Sequence, residues 1–223
     1  MKMFFFLRKM VLFIIILLIS INTVACNTES VNKSKGETEK SSNVNFEDKN
    51  NFEEEIKNEI SKNTNINSYK NTILKIKEYK NGYWVLMISA GEGGFISLNL
   101  IDRASDGKYT YKGSAGCEAA LSMGFGVNRL NLGNDTIFYC NLNDSTWVPE
   151  NDTRKETKYE KMVFKFDNGD EVTENVKNDK GYIVIVNNKV NIKSIELFNG
   201  NNEMVSTYKD IGKTDEMEFI YNK

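Results

Sequence analysis

The amino-acid sequence predicts a mainly β protein, an antiparallel β-sandwich or open barrel of about eight to ten short strands with one short helix on its N-terminal side. Three observations predict it. From residue 71 onward, short runs rich in Ile, Val, Tyr and Phe alternate with clusters of Asn, Asp and Gly. Asn-Gly turn signals recur at 81–82 and 168–169, each between two such runs. Helical spacing of apolar residues stands out in one place, Phe52 to Lys62.

In that stretch Phe52, Ile56 and Ile60 fall on one stripe, Asn51 precedes it as a cap and Glu53 stands four residues before Lys57. A helix there would cover an edge or a face of the body. The first hairpin joins Ile73–Tyr79 to Tyr83–Ser89. A three-residue loop, Lys80-Asn81-Gly82 with Gly82 left-handed, sets Ile76 against Leu86 and Leu74 against Ile88, giving one apolar face and one polar face. Phe95–Arg103 and Lys108–Lys112 read as strands joined by residues 104–107. Gly113–Gly126 is rich in small residues that permit close backbone approach, with a turn or two of helix expected over Glu118–Met123. Thr136–Leu142 reads as a strand and Asn143–Lys155 as a polar loop carrying Trp147 and Pro149.

The second Asn-Gly hairpin joins Lys161–Phe166 to Asp170–Val176. A three-residue loop, 167–169, opposes Lys165 to Glu171 and Phe164 to Val172, which keeps charges and apolar side chains on separate faces. Gly181–Val186 is a continuous apolar run suited to a central strand. Val190–Phe198 and Glu203–Tyr208 flank a turn at 199–202, and Asp215–Tyr221 offers an edge strand. Residues 52–223 read as one body, with 52–142 and 158–223 as alternative sub-lobes.

Ahead of this body stands Met1 to Cys26. Arg8 and Lys9 precede the apolar run Val11–Ile21, then come Val24, Ala25 and Cys26, the layout of an export signal. An uncleaved membrane helix and an ordinary secretory signal are the alternatives. Thr23-Val24-Ala25-Cys26 resembles the lipobox of bacterial lipoproteins, with Thr23 where that family usually has Leu. The resemblance implies cleavage between Ala25 and Cys26, acylation of the Cys26 thiol, and residence at the outer face of the cell membrane. A Lys-, Asn- and Ile-rich chain with one proline suggests a Gram-positive host. Residues 26–51 would be the lipidated cysteine and a polar tether too poor in apolar residues to fold alone. Residues 162–208 resemble the immunoglobulin-like or transthyretin-like β-modules of bacterial surface proteins.

The chain has no histidine, which removes the commonest general base and the Ser-His-Asp and Cys-His arrangements. Ser122 sits in A-x-S-x-G spacing without a histidine partner, and Ser30–Lys33 and Ser105–Lys108 match S-x-x-K only by chance. The acidic turns at Asn134-Asp135 and Asp167–Glu171 lack the spacing that closes around calcium, and no cofactor motif is present. Beyond Cys26 there are two cysteines, Cys117 and Cys140, which an exported chain can join as a disulfide or keep as small buried residues. All 31 acidic residues but only part of the 29 basic ones lie beyond residue 25, so the exported part carries no basic footprint for nucleic acid. Trp147 and Tyr83 are candidates for a ligand-stacking surface. The expectation is a lipid-anchored, non-enzymatic module that recognises an envelope protein or glycan. The alternatives are a carboxylate-based cell-wall glycan hydrolase and a substrate-capturing lipoprotein of a transporter.

Overall fold

A computed structural model of the chain describes residues 46–64, 71–89, 94–209, 216–217 and 220–221. The leader, Ala25, Cys26 and residues 27–45 lie outside them. Helix α1 spans Phe46–Asn63. It begins earlier than the apolar stripe suggests, so Asn51 is internal rather than a cap, and residues 46–51, read as tether, are helical.

Four strands follow as a meander: β1 (Asn71–Tyr79), β2 (Gly82–Ser89), β3 (Phe95–Arg103) and β4 (Tyr109–Glu118). Next come β5 (Asn128–Leu132), β6 (Asp135–Asn141), β7 (Ser145–Val148) and β8 (Thr153–Glu156). Then β9 (Lys161–Phe166), β10 (Glu171–Asn175), β11 (Gly181–Val186), β12 (Ile192–Phe198) and β13 (Met204–Lys209) alternate with turns. Two-residue strands β14 (Glu216–Met217) and β15 (Ile220–Tyr221) complete the described set. The expected edge strand at the end of the chain is thus represented by two short pieces that join different sheets.

The described strands form a sheet β1-β2-β3-β4-β15, a sheet β10-β9-β12-β13, a sheet β11-β6-β5-β14 and the ribbon β7-β8. Pairing is antiparallel except between β14 and β5. The architecture is mainly β and sandwich-like, and no sheet closes into a barrel. Fifteen described strands exceed the expected count because several are only two to four residues long. Strand β11, from the later part of the chain, pairs along its whole length with β6, from the earlier part.

The main core gathers Trp84, Leu86, Ile96 and Leu98 from the first sheet, Phe138 and Tyr182 from the third, and Phe164 and Leu197 from the second. A separate cluster on the other face of the first sheet joins Ile56 and Ile60 of α1 to Val85, Met87, Ile101 and Tyr111. All of these are buried. At about 25 cal/mol per Å² of apolar surface removed from water, such burial is the chief force holding helix to sheet.

The two Asn-Gly hairpins differ. At 167–169 the expected register is found: Glu171 faces Lys165 and Val172 faces Phe164, with Gly169 at φ 90°. At 80–82 it is not. Tyr79 pairs with Gly82 and Ile76 with Val85, the loop is Lys80-Asn81, and the left-handed residue is Lys80 at φ 53°. Gly82 instead lies against β3, where an added Cβ would sit 1.9 Å from the Ile101 carbonyl oxygen. A bulge between Ile73 and Lys75 then shifts the register by one residue. The one-polar-face rule fails because α1 buries the second face.

Three further differences have local causes. Strand β4 runs on through Gly113 to Glu118, and residues 121–124 are bends rather than helix. Strand β5 falls in a stretch to which the sequence alone assigns no element, since its Asn and Arg hide the strand pattern. The expected polar loop at 143–155 contains the ribbon β7-β8, turned by Pro149–Asn151 and by Asp152 at φ 56°.

Candidate functional site

Four strand ends, the last residues of β6 and β10 and the first of β9 and β11, open onto a cleft of about 360 Å³. Its walls are the segments 142–144, 157–160 and 176–180. Backbone hydrogen bonds fix these segments to one another. The Leu142 N–H donates to the Lys180 carbonyl at 2.8 Å, Thr157 N–H to Asp144 O at 2.8 Å, and Val176 N–H to Glu160 O at 2.9 Å. Asn178, at φ 64°, turns the 176–180 wall back toward β11. Leu142 and Val176 are buried and Tyr159 half-buried, and its ring meets Phe125 edge-on at 6.4 Å. These three side chains are the apolar part of the lining.

The rim is charged and balanced. Lys180 pairs with Asp144, and Lys177 with Glu160 at 3.1 Å, so two ion pairs tie the 176–180 segment to the opposite walls. Lys158 pairs with Glu156 at 2.7 Å, and that contact raises the Lys158 pKa. Asp179 takes Lys75 of β1 at 2.6 Å. Lys75 in turn lies 3.6 Å from Glu174, which also receives Lys77 at 2.7 Å. Burial lowers the Lys75 pKa, but the hydrogen bond and charge of Asp179 and the charge of Glu174 outweigh it, and the net direction is upward. Thr157, the other hydroxyl of the lining besides Tyr159, donates to Asn143 O at 2.9 Å. The arrangement can bind polar or charged groups by exchanging ion-pair partners.

Beside the cleft, residues 119–126 explain the run of small residues. An added Cβ at Gly124 would lie 2.7 Å from the Tyr159 hydroxyl, and one at Gly126 would lie 2.7 Å from Cys140 Sγ. Asn141 Oδ1 accepts from Ala120 N–H at 2.9 Å, and Asn143 Nδ2 donates to Ala120 O and Met123 O, pinning the loop. Ser122 is exposed, and its carbonyl accepts from Trp147 N–H at 2.8 Å. Leu121, Met123 and Trp147 leave this end partly apolar, at 44%, 53% and 39% exposed.

The expected site residues separate. Trp147 is exposed on the ribbon, opposite Arg154. Tyr83 is half-buried beneath α1, its ring 5.1 Å from Phe52 and 6.2 Å from Tyr109, so it is not part of a shared surface with Trp147. Cys117 on β4 and Cys140 on β6 are not joined by a disulfide. Both pack in or against the main core, and burial pushes the Cys140 thiol up to about 11, which keeps it protonated and inert at neutral pH. The acidic turn at 167–171 is exposed, and Asp167 accepts from Asn191 Nδ2 at 2.8 Å, which lowers its pKa. Asp135 is buried, accepts from the Tyr79 hydroxyl and pairs with Lys80 at 3.3 Å. Among the described residues, no group of three or more metal-ligating side chains converges, and no helix is long and apolar enough to cross a membrane.

The sequence alone does not point to the cleft. Its residues are scattered from Leu142 to Lys180 and meet through the β6-β11 pairing and the backbone bonds from Thr157 and Val176. The one available signal is the mixed charge of Asp144, Lys158, Glu160, Lys177 and Lys180 next to strand ends. No protein-family model matches the chain, and neither the curated proteins nor the solved structures include a match to it.

Proposed function

We propose that this chain is a lipid-anchored module on the outer face of the cell membrane that binds an envelope protein or glycan without transforming it. Support for the anchor is Thr23-Val24-Ala25-Cys26 behind an apolar run. Two acyl chains, at roughly 0.8 kcal/mol per buried methylene, would hold such a protein at a bilayer. The observation that carries the binding role is the cleft. Its charged groups are each engaged by an opposite charge, and its Thr157 hydroxyl is spent on a carbonyl. A hydrolase would need one carboxylic acid held ready to donate a proton and a second carboxylate across a sugar-sized gap. Asp144 and Glu160 instead each face a lysine on the exposed rim.

The test is fractionation of cells expressing the full chain, with mass spectrometry of the N-terminal peptide. An acylated Cys26 at the new N-terminus, and retention of purified envelope material by the membrane-held chain, are expected. An unmodified Cys26, or glycan cleavage abolished by Asp144→Asn or Glu160→Gln, would overturn the proposal.

A further inference from the structure

Resting on the binding role above, we infer that the cleft between β6, β9, β10 and β11 takes a zwitterion, a small molecule carrying one ammonium and one carboxylate, of the size of a dipeptide. At about 360 Å³ the cleft lies at the lower end of the volumes of small-molecule sites. That size excludes a long oligomer from full burial.

Charge then narrows the class. The two ion pairs that cross the cleft, Lys180–Asp144 and Lys177–Glu160, are well exposed: Lys180 and Asp144 are 56% and 75% accessible, Lys177 and Glu160 59% and 35%. Pairs this wet hold their partners weakly and exchange them readily. A ligand with a single charge would displace one member of a pair and leave its former partner with only water in place of its counter-charge. A ligand with both charges replaces both members at once. Its ammonium takes the place of a lysine on Asp144 or Glu160, and its carboxylate the place of an acid on Lys177 or Lys180. No charge is then left without a counter-charge.

The floor fits the rest of such a molecule. Leu142 and Val176 are buried beneath the rim, and Tyr159 offers a ring held edge-on against Phe125. Small apolar side chains such as those of alanine meet the half-buried Tyr159 ring there. The walls are pinned by the backbone hydrogen bonds from Leu142, Thr157 and Val176, so little ordering is needed when a ligand enters. Glu174 and Asp179, which hold Lys75 and Lys77, keep these lysines from competing for the incoming carboxylate.

The experiment is isothermal titration of the purified full chain with alanyl-alanine, its N-acetyl form and its C-terminal amide. Saturable binding of the free dipeptide is expected, weakened at least tenfold by either cap. Asp144→Asn and Lys177→Gln should each weaken it several-fold, and Lys165→Gln, on the far face of β9, should not. Equal binding of capped and free forms, or binding of none, would overturn the inference. Because the capped ligands are compared on the unaltered chain, that outcome does not depend on a variant folding. A chain that holds envelope material at the membrane yet ignores the dipeptide would sink the ligand assignment and leave the binding role standing.

Discussion

The sheet β1-β2-β3-β4 is covered on both faces, whereas the sheet β10-β9-β12-β13 turns one face to solvent. On β2, Trp84 and Leu86 enter the main core while Val85 and Met87 lie under Ile56 and Ile60 of α1. On β9, Phe164 and Phe166 point inward while Lys165 faces out to Glu196 at 2.5 Å. A one-sided sheet can turn most of its charges outward. A two-sided sheet cannot, and its charges go to an edge: Lys75 and Lys77 stand opposite Leu86 and Trp84 and are neutralised by Glu174 and Asp179. Glu174, buried on the inner side of β10, is the matching charge from the second sheet. The lesson is that the helix, not the strand sequence, sets how many faces of a sheet must be apolar.

If that is right, the largest effect will come from uncovering the second face. Ile60→Ala removes a fully buried side chain from the helix-side cluster and should cost about 2–5 kcal/mol in urea unfolding. Lys165→Ala, on the solvent face of β9, should stay within about 0.5 kcal/mol. Equal costs would mean that α1 is an ornament on a sheet stable without it.

Next in size is a comparison of the two hairpin glycines. Gly82 is required by space, because its Cβ would meet the backbone of Ile101 and Asp102 at 1.9 and 2.8 Å. No side chain can move aside there, so β2 and β3 must part. Gly82→Ala should cost about 3 kcal/mol, at or above the upper end for overpacking. A loss below about 1 kcal/mol would show that β3 yields and that the pairing is looser than its geometry implies.

The two regions should also respond to pH at opposite ends. In the main core, Cys140 releases its proton near 9 when unfolded and at about 11 when folded, because burial disfavours the thiolate. The unfolded chain therefore binds fewer protons above 9, and stability falls as pH rises from 9 to 11, by on the order of 2 kcal/mol. Tyr139 and Tyr182 are shifted upward mainly by burial, and Lys75 by its acidic partners, so all three add to the alkaline loss at higher pH. Cys140→Ala should flatten the curve between 9 and 11. At the exposed turn, Asp167 is shifted downward by Asn191, so its small contribution is present above its unfolded pKa of 3.8 and disappears as pH falls below it. Stability that stays level from neutral pH through this alkaline window would contradict the buried-thiol account.

The contrast also explains what was legible. Where one face is wet, alternation identifies the strand and its register: Phe164 against Val172 and Lys165 against Glu171 follow from the residues alone. Strands β3 and β11 are bounded correctly because their apolar runs end at turn residues. Where both faces are dry the same logic chooses the wrong register, since nothing in β1 or β2 announces that a helix upstream will lie on them. Strand β5 is hidden because Asn128 is buried as a polar residue, donating to Tyr139 O at 3.3 Å and Cys140 Sγ at 3.4 Å. Of the expected site, Trp147 is legible as an exposed aromatic in a polar stretch. Tyr83 reads wrongly as surface because α1 covers it. The cleft cannot be read, because its walls come from three separate segments that meet through tertiary pairing.

The smallest predicted effect closes the comparison of the two turns. A Cβ added at Gly169 would have no atom within 4 Å, so space is not what requires this glycine. Its φ of 90° is. A left-handed conformation costs an L-residue roughly 1–2 kcal/mol relative to glycine, and asparagine less than alanine. Gly169→Ala should therefore lower stability by about 1 kcal/mol, and Gly169→Asn by less, with the β9-β10 register intact in both. At Gly82 the order should vanish: asparagine is larger than alanine, the obstacle is backbone, and Gly82→Asn should be at least as damaging as Gly82→Ala. If alanine and asparagine rank the same way at both positions, the two glycines are kept for one reason rather than two.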